Sequence, residues 1–176
     1  MGISCRHSTP GSVKSPAGQG ESTWSPAKTL HWRGARLLNI VFQPLFDMTS
    51  GRLRLGHIRM VELVTIGRRT GLSRTVLMPC FLMRGDSFVL LASYGGGRSQ
   101  PAWYWNITAN PQVQVRAGGR TRTMRARIAE GSEARGLLQR ILLRTGGSYL
   151  FLVAPARAAG RTVPIVVLDP ISGEPR

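Results

Sequence analysis

A chain of 176 residues is long enough for one domain with a substantial core. No run in it approaches the ~18 consecutive apolar residues that a membrane-spanning helix needs. Its 24 Lys and Arg against 8 Asp and Glu give a formal charge of +16, a field that favours acidic partners such as nucleic acid, anionic lipid or a polyanionic cofactor. Only Lys14 and Lys28 are lysine, so GC-rich codon usage explains the skew as well as function does. Cys5 and Cys80 are too few for a disulfide framework or a metal site, and His7, His31 and His57 show no ligand spacing, so no metal is implied. Cys80 lies in an apolar strand and reads as a buried thiol. The N-terminus lacks the apolar stretch of a secretory signal, which makes a cytoplasmic protein the expectation.

Residues 1–28 are Ser, Gly, Pro and basic side chains, and they read as a disordered leader before one domain over residues 29–176. An upstream start codon would look the same. Over residues 29–46, Leu30, Leu37, Leu38, Val41, Phe42 and Leu45 recur at helical spacing, with Arg33, Arg36 and Asn39 elsewhere on the wheel. Pro44 is expected to bend or end that helix. The helix either packs on the domain or lies on a membrane surface, apolar side down and arginines toward anionic headgroups.

Strands are expected over residues 60–66 and 75–83, rich in Val, Leu and Phe. Between them stands Thr65-Ile66-Gly67-Arg68-Arg69-Thr70-Gly71-Leu72-Ser73-Arg74-Thr75. A reversal here, allowed by Gly67 and Gly71, brings Arg68 and Arg69 near Arg74. Guanidinium forks, hydroxyls and turn amides form a receptor for phosphate or carboxylate. A solvated hairpin tip is the equal alternative from these residues alone. Arg84-Gly85-Asp86 turns the next strand into residues 87–93, and Gly118-Gly119 joins residues 112–116 to 120–129. Arg120 and Arg122 share one phase of that last strand and Arg125 and Arg127 the other, which predicts a bulge near Thr123 or Met124. Ser132-Glu133 would cap a helix to about Arg144, and residues 162–168 form a final strand. Strands in hairpin order with few helices predict a mainly β (α+β) antiparallel barrel rather than a doubly wound sheet.

Ala92-Ser93-Tyr94-Gly95-Gly96-Gly97 ends one strand in a glycine loop. Gln100-Pro101-Ala102-Trp103-Tyr104-Trp105-Asn106 follows, with Pro101 suited to the first turn of a helix. Such a loop lets a flat ligand approach the backbone, and aromatics on the helix can wall it. Equally, the tryptophans are core and the loop is ordinary.

The pieces T-x-G-R-R-T-G-x-x-R-T, G-D-x-F-V-L-L-A-S-x-G-G, P-A-W-Y-x-N-I-x-A-N-P-x-V-x-V and R-T-V-P-I-V-V-L-D-P stand in that order over residues 60–170. As a set they resemble the deazaflavin-dependent nitroreductase family of actinobacteria. The resemblance implies a split β-barrel with an N-terminal helix and one or two short covering helices. It also implies coenzyme F420, a 5-deazaflavin whose tail carries a phosphate and several glutamates. Carried over by motif position, Arg68, Arg69, Arg74 and Thr75 would hold the tail. Ala92, Ser93, Tyr94, Gly95 and Gly96 would lie against the ring, with Ser93 donating to the acceptor or the ring. Tyr94 stands where the family usually has lysine, removing one cationic contact, and Arg98 is a nearby replacement. Of the family's pocket tyrosines Tyr149 matches one, a second catalytic candidate beside Ser93, while Leu152 and Pro155 follow it. The implied reaction is hydride transfer to a quinone, enone or nitroaromatic acceptor, with the chemistry supplied by the coenzyme. Two alternatives stand beside it: the same barrel using FMN, and a basic β-barrel that binds nucleic acid. Against the second, the arginines cluster at turns instead of tracking one strand face, so no nucleic acid is expected. Peripheral contact with the inner face of the plasma membrane through the 29–46 helix stays open, as does the oligomeric state.

Overall fold

The computed structural model describes residues 40–93, 99–147, 153–154, 158 and 160–171. A helix, α1, covers residues 40–48. It is followed by β1 (Arg54–Leu55), β2 (Ile58–Ile66), β3 (Ser73–Cys80), β4 (Leu82–Arg84) and β5 (Ser87–Leu91). Then come α2 (Ala102–Ala109), β6 (Gln112–Ala117), β7 (Arg120–Ile128), α3 (Gly131–Thr145) and β8 (Ile165–Pro170). All pairings are antiparallel, in the order β1-β2-β6-β7-β8-β5-β4, with β3 on the other edge of β2. β3 and β4 thus sit at opposite ends of the sheet yet are separated in the chain by Phe81 alone. The chain itself draws the two ends of the curled sheet together across Phe81, a closure made by the chain and not by strand pairing among the described residues, as in a split half-barrel.

That closure explains why the single strand expected over residues 75–83 is two. Cys80 belongs to the interior cluster, Phe81 and Leu82 both pack on the outer one, and Met83 returns inside. Two consecutive residues on one face mark a phase step, which lets the strand leave β2 and join β5.

Strands β5 and β8 are apolar on both faces because both are covered. Phe88, Leu90, Val166 and Leu168 fill the barrel with Val61, Leu63, Val115 and Met124. Val89, Leu91, Ile165 and Val167 face outward beneath Leu137 and Ile141 of α3. The latter stand one helical turn apart, so a single stripe docks α3.

Several local expectations need correcting. Pairing of β7 is continuous, from Gln112↔Arg125 to Ala117↔Arg120 on one side and Met124↔Pro170 to Ile128↔Val166 on the other, so there is no bulge near Thr123 or Met124. Arg122 shares the phase of buried Met124 and Ala126, but the strand has run past the core there, and Arg122 meets Asp86 at 3.7 Å. Ser132 does not cap α3; Glu130 occupies that position, and Glu133 instead bonds Arg127. The α1 helix runs through Pro44 to residue 48. Its packing face is Phe42 and Phe46, set against Leu53, Met60 and Leu77. Val41 and Leu45, which the packed reading of the helix would put inside, are 61% and 42% exposed. Residues 29–39 lie outside the described part. Cys80 is buried with a free thiol, and burial raises its pKa. Among the described residues no helix is long and apolar enough to cross a membrane.

Candidate coenzyme site

The β2–β3 reversal is built as a receptor. Gly67 N–H donates to the Leu72 carbonyl and Gly71 N–H to the Gly67 carbonyl, each at 2.8 Å. Gly71 has φ +67, and a Cβ on Gly67 would come within 2.9 Å of Thr70 Oγ1 and 3.1 Å of the Leu72 carbonyl. Neither glycine admits a side chain without strain. The turn exposes Arg68, Arg69, Arg74 and Thr75 together, with the Arg74 stem against Gly67.

What holds the turn is a buried amide that the sequence reading passed over. Asn106 of α2 accepts from Arg68 N–H at 3.1 Å and donates from Nδ2 to Thr65 Oγ1 at 3.0 Å. Thr65 Oγ1 in turn donates to the Arg74 carbonyl at 3.4 Å. Thr65 and Asn106 are both buried, so losing either partner strands the other away from water. One residue earlier on α2, Trp105 is 43% exposed and lies 5.8 Å beneath the Arg68 guanidinium. It is therefore not core, whereas half-buried Trp103 packs on the barrel interior.

Among the described residues no carboxylate meets these arginines. Six acidic residues are described: Asp47, Glu62, Asp86, Glu130, Glu133 and Asp169. Asp47 and Glu62 bind Arg116; Asp86 pairs with Arg122; Glu133 and Asp169 bind Arg127, with Glu133 also reaching Arg84; Glu130 is the N-cap of α3. Three guanidiniums on one exposed turn thus repel one another with no internal counter-charge among the described residues. This fits a bound phosphate or carboxylate tail.

Ala92 and half-buried Ser93 prolong β5, with Ala92 N–H donating to the Pro164 carbonyl at 3.0 Å. Their own carbonyls accept from Arg161, Ala92 at 3.0 Å. Arg161 also donates to Gln100 Oε1, and Gln100 Nε2 donates to the Thr162 carbonyl at 3.2 Å. Two parts of the expected site are therefore tied to one helix. Gln100, just before α2, links to the strand end, and Trp105 with Asn106 holds the arginine turn, roughly 8 Å further along the axis. Tyr94, Gly95, Gly96 and Tyr149 lie outside the described residues.

A family model described as F420H(2)-dependent quinone reductase matches residues 44–170. The chain belongs to that family. An F420H(2)-dependent quinone reductase of Mycobacterium tuberculosis is 38% identical over 88 residues, covering 48% of this chain and 58% of the relative. A Mycobacterium bovis protein named as the same kind of reductase matches with the same figures. The aligned stretch is thus little more than half the length of these relatives. Among solved structures, an F420-H2 dependent reductase superposes with TM-score 0.52 at 26% identity, covering 62% of this chain and 93% of its own. A chain described as a domain-swapped dimer superposes with TM-score 0.54 at 24% identity over 82% of this chain and all of its own, a likeness of fold. The fold is the split β-barrel of F420-dependent reductases, and the family's cofactor is coenzyme F420. The FMN alternative finds no support in these comparisons.

Proposed function

We propose that this protein uses reduced coenzyme F420 to convert a quinone to its hydroquinone. The observation that carries the reading is the arginine turn, three exposed guanidiniums on a backbone locked by Thr65 and Asn106, in a chain of the F420-dependent family. Bound coenzyme would supply a hydride, and the acceptor takes that hydride and one proton from water. Arg68, Arg69 and Arg74, with the Thr75 hydroxyl, hold the acidic tail by charge-assisted bonds. Ala92 and Ser93 form part of the wall for ring and acceptor, and the Ser93 hydroxyl donates to the acceptor oxygen as negative charge grows there. By the family resemblance, Tyr94, Gly95 and Gly96 would belong to the same ring site and Tyr149 to the acceptor pocket; all four lie outside the described residues. Enone and nitroaromatic acceptors demand the same hydride and are a secondary activity.

The exposed face of α1 supports peripheral attachment to the inner leaflet of the plasma membrane. Ile40, Val41, Leu45 and Met48 are exposed, Met48 at 82%, with exposed Leu55 on β1. Arg52 and Arg54, both exposed, follow in the chain and would supply cations for anionic headgroups. A lipid-soluble quinone would be met at that surface.

Titration of the purified protein with F420 and with FMN, followed by single-turnover oxidation of the reduced complex by a short-chain naphthoquinone, tests the reading. Saturable F420 binding and oxidation faster than the protein-free rate are expected. Preference for FMN, or no acceleration, would refute it. Co-sedimentation with anionic but not zwitterionic vesicles is expected of the attachment; equal, negligible pelleting with both removes it.

A further inference from the structure

Arg161 opens the R-T-V-P-I-V-V-L-D-P segment, and the coenzyme reading leaves it without a task. Its neighbours run alongside the end of β5: Thr162 accepts from Gln100, and Pro164 accepts from Ala92. The side chain reaches across to donate from Nη1 to the Ala92 carbonyl and Gln100 Oε1, and from Nη2 to the Ser93 carbonyl. Of the five N–H groups of a guanidinium, Nε–H is left buried with no acceptor. No carboxylate meets Arg161 among the described residues, and burial lowers its pKa. A half-buried cation without a counter-charge is a costly way to tether two carbonyls. Its advantage is that charged, forked donors hold both carbonyls more strongly and in a more defined plane than neutral ones.

We propose that Arg161 is a positioning residue: by holding the Ala92 and Ser93 carbonyls it fixes the backbone of the strand end that meets the ring and the acceptor. The inference rests on the F420 reading of this site. In a trans peptide the C=O and the next N–H point in opposite directions. Ala92 C=O held toward Arg161 therefore aims Ser93 N–H away from the guanidinium and keeps Ser93 itself in one orientation. Through Gln100 the same cation ties this strand end to the start of α2, whose far end carries Asn106 and the tail anchor. Arg161 thus sets the spacing between the two halves of the site while touching neither ligand.

Arg161→Lys keeps the charge and loses the fork; Arg161→Ala loses both. In coenzyme-free protein, amide exchange at Ala92 should quicken at least tenfold in both variants, with Leu90 inside β5 unchanged. F420 affinity should stay within about threefold of wild type, because the arginine turn is intact. With F420H2 and a naphthoquinone, kcat should fall at least tenfold with the KM for F420H2 little altered. Millimolar guanidinium chloride should restore part of that loss in Arg161→Ala but not in the wild type. Unchanged Ala92 exchange with unchanged kcat overturns the inference. So does F420 affinity falling in step with kcat at constant exchange, which would make Arg161 a second tail anchor. If Arg161→Ala does not fold, Arg161→Lys alone decides between these outcomes. Failure of the wild type to bind F420 would sink the functional reading, while the exchange measurement would still test the clamp.

Discussion

Arg116, on β6 across from Glu62 in mid β2, and Arg68, just past the end of β2, show what an arginine count conceals. Arg116 lies across two carboxylates, with Nε and Nη2 bonding Glu62 at 2.8 and 2.9 Å and Nη2 also reaching Asp47. Its guanidinium covers the Phe46 ring at 4.8 Å, and those bonds push its pKa up. It rivets α1 to the barrel. The backbone is held at Arg68 and Arg74 as well, yet Arg68, Arg69 and Arg74 face solvent and no acid among the described residues. A rigid backbone under unpaired charges is preorganised for a ligand that the protein does not itself contain. With eight acidic residues in the whole chain, where those acids are placed decides which arginines are structural.

Several substitutions would break or sharpen that contrast, and the largest effect belongs to the paired arginine. Arg116→Met should cost roughly 2–3 kcal/mol in chemical denaturation, since it leaves the largely buried Glu62 carboxylate without a counter-charge, bonded only by the Gln43 amide. Coenzyme affinity should not change. Arg74→Ala should do the reverse, weakening F420 binding by roughly 1.5–3 kcal/mol by titration, with stability within about 0.5 kcal/mol of wild type. Thr65→Val should lie between the two. It leaves Asn106 Nδ2 without its acceptor, costs roughly 1–2 kcal/mol of stability, and loosens the turn enough to lower F420 affinity severalfold. The smallest effect is one of pH. Burial raises the Asp169 pKa, but bonds from Ser87 and Arg127 outweigh it and leave the value lowered; the Arg127 bond lowers Glu133 as well. Carboxyls depressed in the folded state add stability above their ordinary pKa of about 4, and it is lost as pH falls through the folded values. Acid unfolding should therefore steepen below pH ~4, and Arg127→Gln should flatten that slope.

The arginine turn was legible because everything it needs is local: two glycines, strand-forming flanks, and basic residues within one reversal. The hairpins and the β class were legible for the same reason. Nonlocal features were not. Asn106 and Arg161 both stand in motifs the sequence singled out, N-I-x-A-N-P and R-T-V-P-I-V-V-L-D-P, but a polar side chain gives no sign of a partner 41 or 69 positions away. A conspicuous polar residue left idle inside an otherwise explained motif was the available signal. Phe81 broke an apolar run that looked like one strand, because closing the barrel requires a phase step that hydrophobicity cannot mark. The wheel of α1 could not separate Val41 and Leu45 from Phe42 and Phe46, since an apolar side chain turned outward scores like one turned to the core. The end of helix α3 was found within a residue, but its start was placed on Ser132-Glu133 while the N-cap is Glu130, because a Ser-Glu pair looks the same whether it caps a helix or lies inside the first turn.

Central to the account is that the turn binds the acidic tail of the coenzyme and not its ring. Wild type and Arg74→Ala should each be titrated with F420 and with the tail-less deazaflavin ring fragment. The account predicts that the substitution weakens F420 binding at least tenfold and leaves binding of the fragment unchanged. Equal losses for both ligands, or no loss for either, would contradict it.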